Sequence, residues 1–229
     1  NESLLGIPGS SLLKNNNDFS NKTIVSSGRM PPDLEKILSL KPDLVIGAKG
    51  FHDRTLSKLN SLKINTLSTS ISSLDDLNIL YKEIASKLNT RTKSLKDILG
   101  NCYLKNKNKN KNVVVLVSSK PILSPNKDSW AGNLISSFNL NNLASGITNK
   151  TEFKGYVNLS PEWLIKSQPE NILVIKTPGS DLSQYSSMNI WNKLEAVKNN
   201  KIYTFDYYGL INAGGINAIN KACKKLSSI

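Results

Sequence analysis

The chain has 229 residues, a mass of 25.2 kDa, 38% apolar side chains and a formal net charge of +13. That is enough apolar material for one large domain or two ordinary lobes, and too much for a disordered chain. No stretch approaches 18 consecutive apolar residues, so no membrane-spanning helix is expected, and one histidine with two cysteines excludes most zinc sites, iron–sulfur clusters and disulfide-framework folds. The basic excess does not read as a nucleic-acid surface. Arginine, whose planar fork suits phosphates and bases, occurs only at Arg29, Arg54 and Arg91. The lysines are scattered and accompanied by asparagine, as in Asn15-Asn16-Asn17 and the 105–112 run, which reads as compositional bias on solvated faces.

In chain order, Leu4-Leu5-Gly6-Ile7-Pro8 opens with a strand-like apolar run. Residues 34–46 then read LEKILSLKPDLVI, a short amphipathic helix with Leu34, Ile37 and Leu38 inward. Pro42 stops it, because proline lacks an N–H and restricts the residue before it. Leu44-Val45-Ile46 follows as a strand buried on both faces, the mark of a parallel sheet. A second helix at 57–63 leads to a strand at Thr66-Leu67. Residues 73–104 carry helical periodicity through Leu74, Leu77, Leu80, Ile84 and Leu88, then Leu95, Ile98 and Leu99. They read as helices over Ser73–Leu88 and Thr90–Leu104. The 105–112 run is low-complexity, and Val113–Val117 reads as a buried strand.

The later chain repeats the earlier one. Residues 161–175 read PEWLIKSQPENILVI, with Glu162 seven positions before Pro169 as Glu35 is before Pro42, at an offset of 127 residues. A helix at 192–198 precedes an Ile202-Tyr203-Thr204-Phe205 strand, and Ala213-Gly214-Gly215 opens a last helix. Two halves of helix–strand–helix–strand make an α/β chain of two lobes with parallel-sheet βα units, joined by a long linking helix. The predicted divisions are an N-terminal lobe 1–72, a linking helical segment 73–111 and a C-terminal lobe 112–229.

These pieces together resemble the helix-linked (class III) periplasmic solute-binding proteins of ABC importers, the family that captures ferric siderophores, haem or cobalamin. The resemblance covers about residues 20–225. It rests on SGRMPPDLEKILSLKPDLVIGAKG, PILSPNKDSWAGNLISSFNLNNLA, GYVNLSPEWLIKSQPENILVI and WNKLEAVKNNKIYTFD, in that order around the central helical segment. One departure is plain: the family's first strand and helix precede anything seen here, so the first lobe is expected to lack them. The resemblance implies a non-enzymatic binder that delivers an iron complex to a membrane permease dimer, with cobalamin as the alternative ligand. It implies an exported protein, anchored through a segment outside this chain, and a monomer with no resident cofactor and no nucleic-acid partner. It also implies that Glu35 and Glu162 dock into permease arginines, although either alone reads equally as a helix-start charge.

Ligand contacts are expected from loops at the carboxyl ends of the strands. Those in the first lobe are Arg29 and Met30, then Lys49, Phe51 and His52. Those in the second lobe are Ser129 and Trp130, Tyr156, and Tyr207 with Tyr208. The rings suit a large planar or bulky chelate. Arg29, Lys49 and Lys120 supply positive charge for an anionic one. His52 is a candidate ligand for haem iron or cobalt, or else a surface residue. Trp163 and Trp191 sit in helical patterns and read as core or rim. Cys102, at the end of the linking segment, and Cys223, in the last helix, are placed within bridging reach; they pair in an oxidising compartment or remain buried thiols in a reducing one. A two-lobed nucleotide-sugar transferase would share the layout. No GxGxxG, GxxxxGK[ST], HExxH or GxSxG supports an enzyme.

Overall fold

The computed structural model describes residues 3–9, 13, 19–27, 31–103, 110–148, 151, 153–176 and 182–229. It is a mixed α/β chain that divides into two compact units, Asn1–Ser70 and Ile71–Ile229.

The first unit holds two parallel strand pairs. β1 (Gly6–Pro8) pairs with β2 (Thr23–Ser26). After α1 (Leu34–Ser39), β3 (Val45–Ala48) and β4 (Thr66–Thr69) pair across α2 (Asp53–Ser61). Its core is thin: Ile7, Ile37, Leu56 and Leu59 are its buried apolar side chains among the described residues, while Ile24 and Ile46 lie on exposed strand faces.

The second unit begins with α3 (Leu74–Lys87), capped by the Ser73 hydroxyl accepting from the Asp76 N–H. The helix expected over 90–104 does not continue from it. Asn89, left-handed at φ 49°, and the Thr90 N–H bonding back to Ala85 O end α3 in a Schellman turn. Residues 90–94 have no regular structure, and Ser94 caps a separate short helix, α4 (Leu95–Ile98), before a 3₁₀ turn at Gly100–Tyr103. The apolar spacing was real, because Leu74, Leu95 and Leu99 all enter one core; it was carried by two elements rather than one. Leu104 lies outside the described residues.

Next come β5 (Asn112–Leu116), β6 (Ser118–Ser119), β7 (Ile122–Pro125), α5 (Trp130–Ser137), β8 (Asn141–Asn142) and β9 (Tyr156–Leu159). They are followed by α6 (Pro161–Ser167), β10 (Asn171–Lys176), α7 (Leu182–Ser186), a 3₁₀ turn at Trp191–Lys193, α8 (Glu195–Lys198), β11 (Ile202–Asp206) and α9 (Ile216–Leu226). The main sheet is parallel in the order β11-β10-β5-β8, and β6-β7-β9 form a small antiparallel sheet. Val113, Val115, Leu173 and Ile175 face one core with α5 and α9, and Val114, Leu116, Ile172 and Val174 face the other with Leu164 and Trp191. Such two-faced burial contributes about 1.5–3 kcal/mol per large side chain. Trp191 is core, as its helical spacing indicated, and Trp163 packs against the same cluster.

Cys102 and Cys223 form a disulfide with their Cα atoms 4.8 Å apart, tying the 3₁₀ turn to α9 inside the first of these cores. The repeat also survives into three dimensions. Asp33 and Ser160, 127 residues apart, cap α1 and α6, and Lys41 and Gln168, left-handed at φ 47° and 40°, end them just before Pro42 and Pro169. β3–β4 and β10–β11 are the matching parallel pairs.

Candidate functional site

In the first unit, the candidates lie on the turn between β3 and α2. The Phe51 and His52 N–H groups both donate to Ala48 O, and the Gly50 N–H donates to the Asp53 carboxylate at 3.0 Å, so the turn is tightly tied. Phe51 stands at its tip with 88% of its surface exposed, far from the behaviour of a core phenylalanine, and Lys49 is exposed beside it. His52 is partly buried, and its Nδ1 accepts from the Ala48 N–H at 3.0 Å. That nitrogen is therefore engaged inside the turn. To the two readings of His52, metal ligand or surface residue, the hydrogen bond adds a turn-fixing role. Arg29 and Met30 lie outside the described residues.

In the second unit, three loops sit together. Trp130 was read as a loop ring facing ligand, but it is the first residue of α5 and only 5% exposed. Its Nε1–H donates to Gly209 O at 2.9 Å, which pins the turn after β11. Gly209 has φ +99°, and a Cβ there would stand 2.2 Å from Ala218 O, so this turn demands glycine. Ser129 was likewise read as a ligand contact. It is buried, its hydroxyl accepting from the Gly132 N–H at 3.0 Å and donating to Asn126 O at 2.7 Å; it caps α5. Both residues position their neighbours. The Asn126 N–H donates to Gly155 O at 2.9 Å, locking the α5 entry to the 151–156 loop.

What those contacts hold in place is a tyrosine cluster. Tyr207 and Tyr208 follow directly on β11 and pack edge to face with ring centroids 5.5 Å apart. Tyr156 starts β9 and is partly buried; burial, with the Tyr207 phenol nearby, pushes its hydroxyl up to about 12. Burial and Tyr208 raise Tyr207 as well. Tyr156 and Tyr207 are therefore neutral at physiological pH, offering rings and O–H groups rather than phenolates. Phe153, at the start of the same candidate loop 153–156, is 60% exposed. The Thr151 hydroxyl reaches both Phe153 O and Tyr156 O, at 2.8 and 2.9 Å, so this exposed ring stands on a braced loop. Among the described residues no group of three or more His, Cys, Asp or Glu could hold a metal ion. Lys120 is exposed at the β6–β7 turn.

Glu35 and Glu162 occupy one position, the second residue of α1 and α6, each directly behind a capped start. Both are exposed. The Glu162 carboxyl is held below its ordinary range by its own backbone N–H and by the Ser160 hydroxyl.

The periplasmic binding protein family model matches residues 1–208. The chain is 26% identical over 200 residues to YvrC, an uncharacterized ABC transporter substrate-binding lipoprotein of Bacillus subtilis, covering 81% of this chain and 61% of that one. The chain thus spans about three fifths of the length of the curated relatives it matches. Among solved structures, the periplasmic haem-binding protein BhuT, in complex with two haems, aligns with a TM-score of 0.75 at 14% identity, over 98% of this chain and 88% of that one. The periplasmic vitamin B12-binding protein BtuF of Vibrio cholerae aligns with a TM-score of 0.68 at 18% identity, over 98% and 88%. These likenesses show the fold, and the family match covers most of the chain: it belongs to the periplasmic binding protein family.

Proposed function

We propose that this member of the periplasmic binding protein family is the solute-binding component of an ABC importer and carries an iron complex, a ferric siderophore or haem, to a membrane permease. The observation that carries the ligand class is the braced aromatic surface of the second unit: Tyr156, Tyr207 and Tyr208 beside the exposed Phe153. Neutral phenols and rings recognise a large chelate by stacking and hydrogen bonding, and they do not strip its metal. Phe51 and Lys49 are the candidates on the first unit. No metal-ligating cluster is needed, because the metal arrives already coordinated. The substrate-binding lipoprotein relatives support export and membrane anchoring, and no helix among the described residues is long and apolar enough to cross a membrane. A transferase reading has no support from the family match. Glu35 and Glu162 are the proposed permease contacts.

The test is an absorbance-monitored titration with haemin, ferric siderophores and cobalamin, with quenching of tyrosine and tryptophan emission as a second signal. The expected result is saturable binding of haemin or a ferric siderophore, weakened about tenfold or more by Phe153→Ala or Tyr156→Ala, a loss of about 1.4 kcal/mol. Binding of cobalamin alone would make this a corrinoid carrier, and binding of none of the three would overturn the reading.

A further inference from the structure

A second concave feature of the Ile71–Ile229 unit adjoins the tyrosine cluster and shares Tyr208 with it. A cavity of about 180 Å³ opens beside the edge strand β11, between the ends of β10 and β11 and the outer face of α9. Three ammonium groups from different places in the sequence converge on it. Lys176 ends β10 and is the direct cross-strand neighbour of Asp206, which ends β11. Lys221 and Lys225 stand one turn apart on α9. Lys221 Nζ donates to Asp206 at 2.6 Å. Lys225 donates to Thr204 O, at the edge of the sheet, and lies 5.2 Å from the centre of the Phe205 ring. One carboxylate therefore faces three cations, and the cavity carries a local excess of two positive charges.

Strand pairing and a helical turn bring three of this chain's lysines to one hollow. The Asp206–Lys221 pair is also exposed, 55% and 77% at the two side chains, so water screens it and it opens at little cost. Lys225 is fixed by its carbonyl and ring contacts, whereas Lys176 is exposed at the end of β10 and Lys221 turns toward a ligand by giving up its exposed contact with Asp206. The three ammoniums hold the Asp206 carboxyl below its usual range, the Lys221 hydrogen bond contributing most, so the resident anion is ionised at neutral pH and competes for the site.

We propose that this pocket binds a small multivalent oxyanion, a polycarboxylate or a phosphate, with Lys176, Lys221 and Lys225 as its cationic donors and Asp206 as an internal competitor. It shares Tyr208 with the ring cluster but is argued from the three lysines and Asp206, and it is tested without any iron compound.

The experiment follows amide shifts of ¹⁵N-labelled protein during titration with citrate and, separately, inorganic phosphate, with ionic strength held constant by potassium chloride. Saturable shifts confined to residues 204–208 and 218–225 are expected with at least one of them, and the two arms separate polycarboxylate from phosphate. Lys176→Gln with Lys221→Gln, both exposed positions, should weaken binding about tenfold or more, while Asp206→Asn should tighten it several-fold by removing the competitor. Shifts that never saturate, that spread over lysines across the chain, or that survive the double lysine change would overturn the site. So would an Asp206→Asn variant that binds no better.

Discussion

The Cys102–Cys223 bridge closes a loop of 121 residues, most of the second unit, and its removal should be the largest single loss of stability available in this chain. In the chain-entropy treatment, a loop of that length takes roughly 16 cal/mol/K from the unfolded ensemble, or about 5 kcal/mol at 25 °C. Whole domains are stable by only about 5–15 kcal/mol. For a unit of this size each kcal/mol moves Tm by about 2–4 °C, so loss of the bridge should lower Tm by about 10–20 °C. Trp130, Trp163 and Trp191 are the chain's three tryptophans and all lie in the second unit, so their fluorescence reports its unfolding without interference from the first. The assay is thermal unfolding of the native protein, of protein held under a phosphine reductant, and of the Cys102→Ala, Cys223→Ala double variant. Denatured protein should titrate no free thiol before reduction and two after it. Both perturbed forms should lose similar amounts, since each cysteine is buried and alanine leaves only a small cavity. A drop below about 4 °C in both would mean that the unfolded chain gains little freedom when the link is cut. The loop-entropy argument would then fail.

Three further outcomes are expected. Gly132→Ala would put a Cβ 1.9 Å from Asn126 O, so the entry to α5 must shift; chemical denaturation should show a loss of about 1–3 kcal/mol, with weaker ligand binding through the displaced 151–156 loop. Ser129→Ala removes the α5 cap and should cost about 1 kcal/mol in the same experiment, while Phe153→Ala, an exposed ring, should leave stability unchanged and act on ligand affinity alone. Tyr156 is raised on folding, so its neutral form stabilises the native state fully below pH 10 and that contribution is lost as pH rises toward about 12; ultraviolet titration should find one phenol ionising last, and Tyr156→Phe should remove it.

The strands and their partners were legible because the evidence for them is local. Valine and isoleucine runs following Pro42 and Pro169 read as two-sided strands, and β3 and β10 appear there; β10 is buried on both faces, whereas β3 is not, because the thin first unit leaves Ile46 exposed. The failure at Trp130 was avoidable. Ser129 precedes Trp130, Leu134, Ile135 and Phe138, a capped start with helical spacing, and all four apolar residues are buried. A loop reading ignored that period. The break at Asn89 was harder to see, since asparagine tolerates the left-handed region without announcing it. The lysine pocket had half a signal: Lys221 and Lys225 share a helix face by spacing. Lys176 joins them only through the β10–β11 register, which no single segment contains. Tyr156 and Tyr207 are brought together in the same way, across 51 positions of sequence.

The two glutamates show how a local rule and a function can choose the same residue. Helix starts favour carboxylates wherever they occur, because the free N–H groups and the dipole are positive there. Asp33 and Ser160 build those starts, so Glu35 and Glu162 would be acceptable at their positions in a protein with no partner at all. Helix chemistry explains the residue type; it does not require two copies of the start, 127 residues apart, each ending in an exposed acid. The two explanations separate on substitution. If the carboxylates serve only their helices, Glu35→Gln and Glu162→Gln should be silent in uptake as well as in Tm, since the caps remain and both side chains stay polar. If they dock, ligand affinity and Tm should hold while uptake falls with each single change and nearly vanishes with both, because each charge meets its own half of a two-fold permease. Normal uptake by the double variant would return both residues to helix chemistry alone.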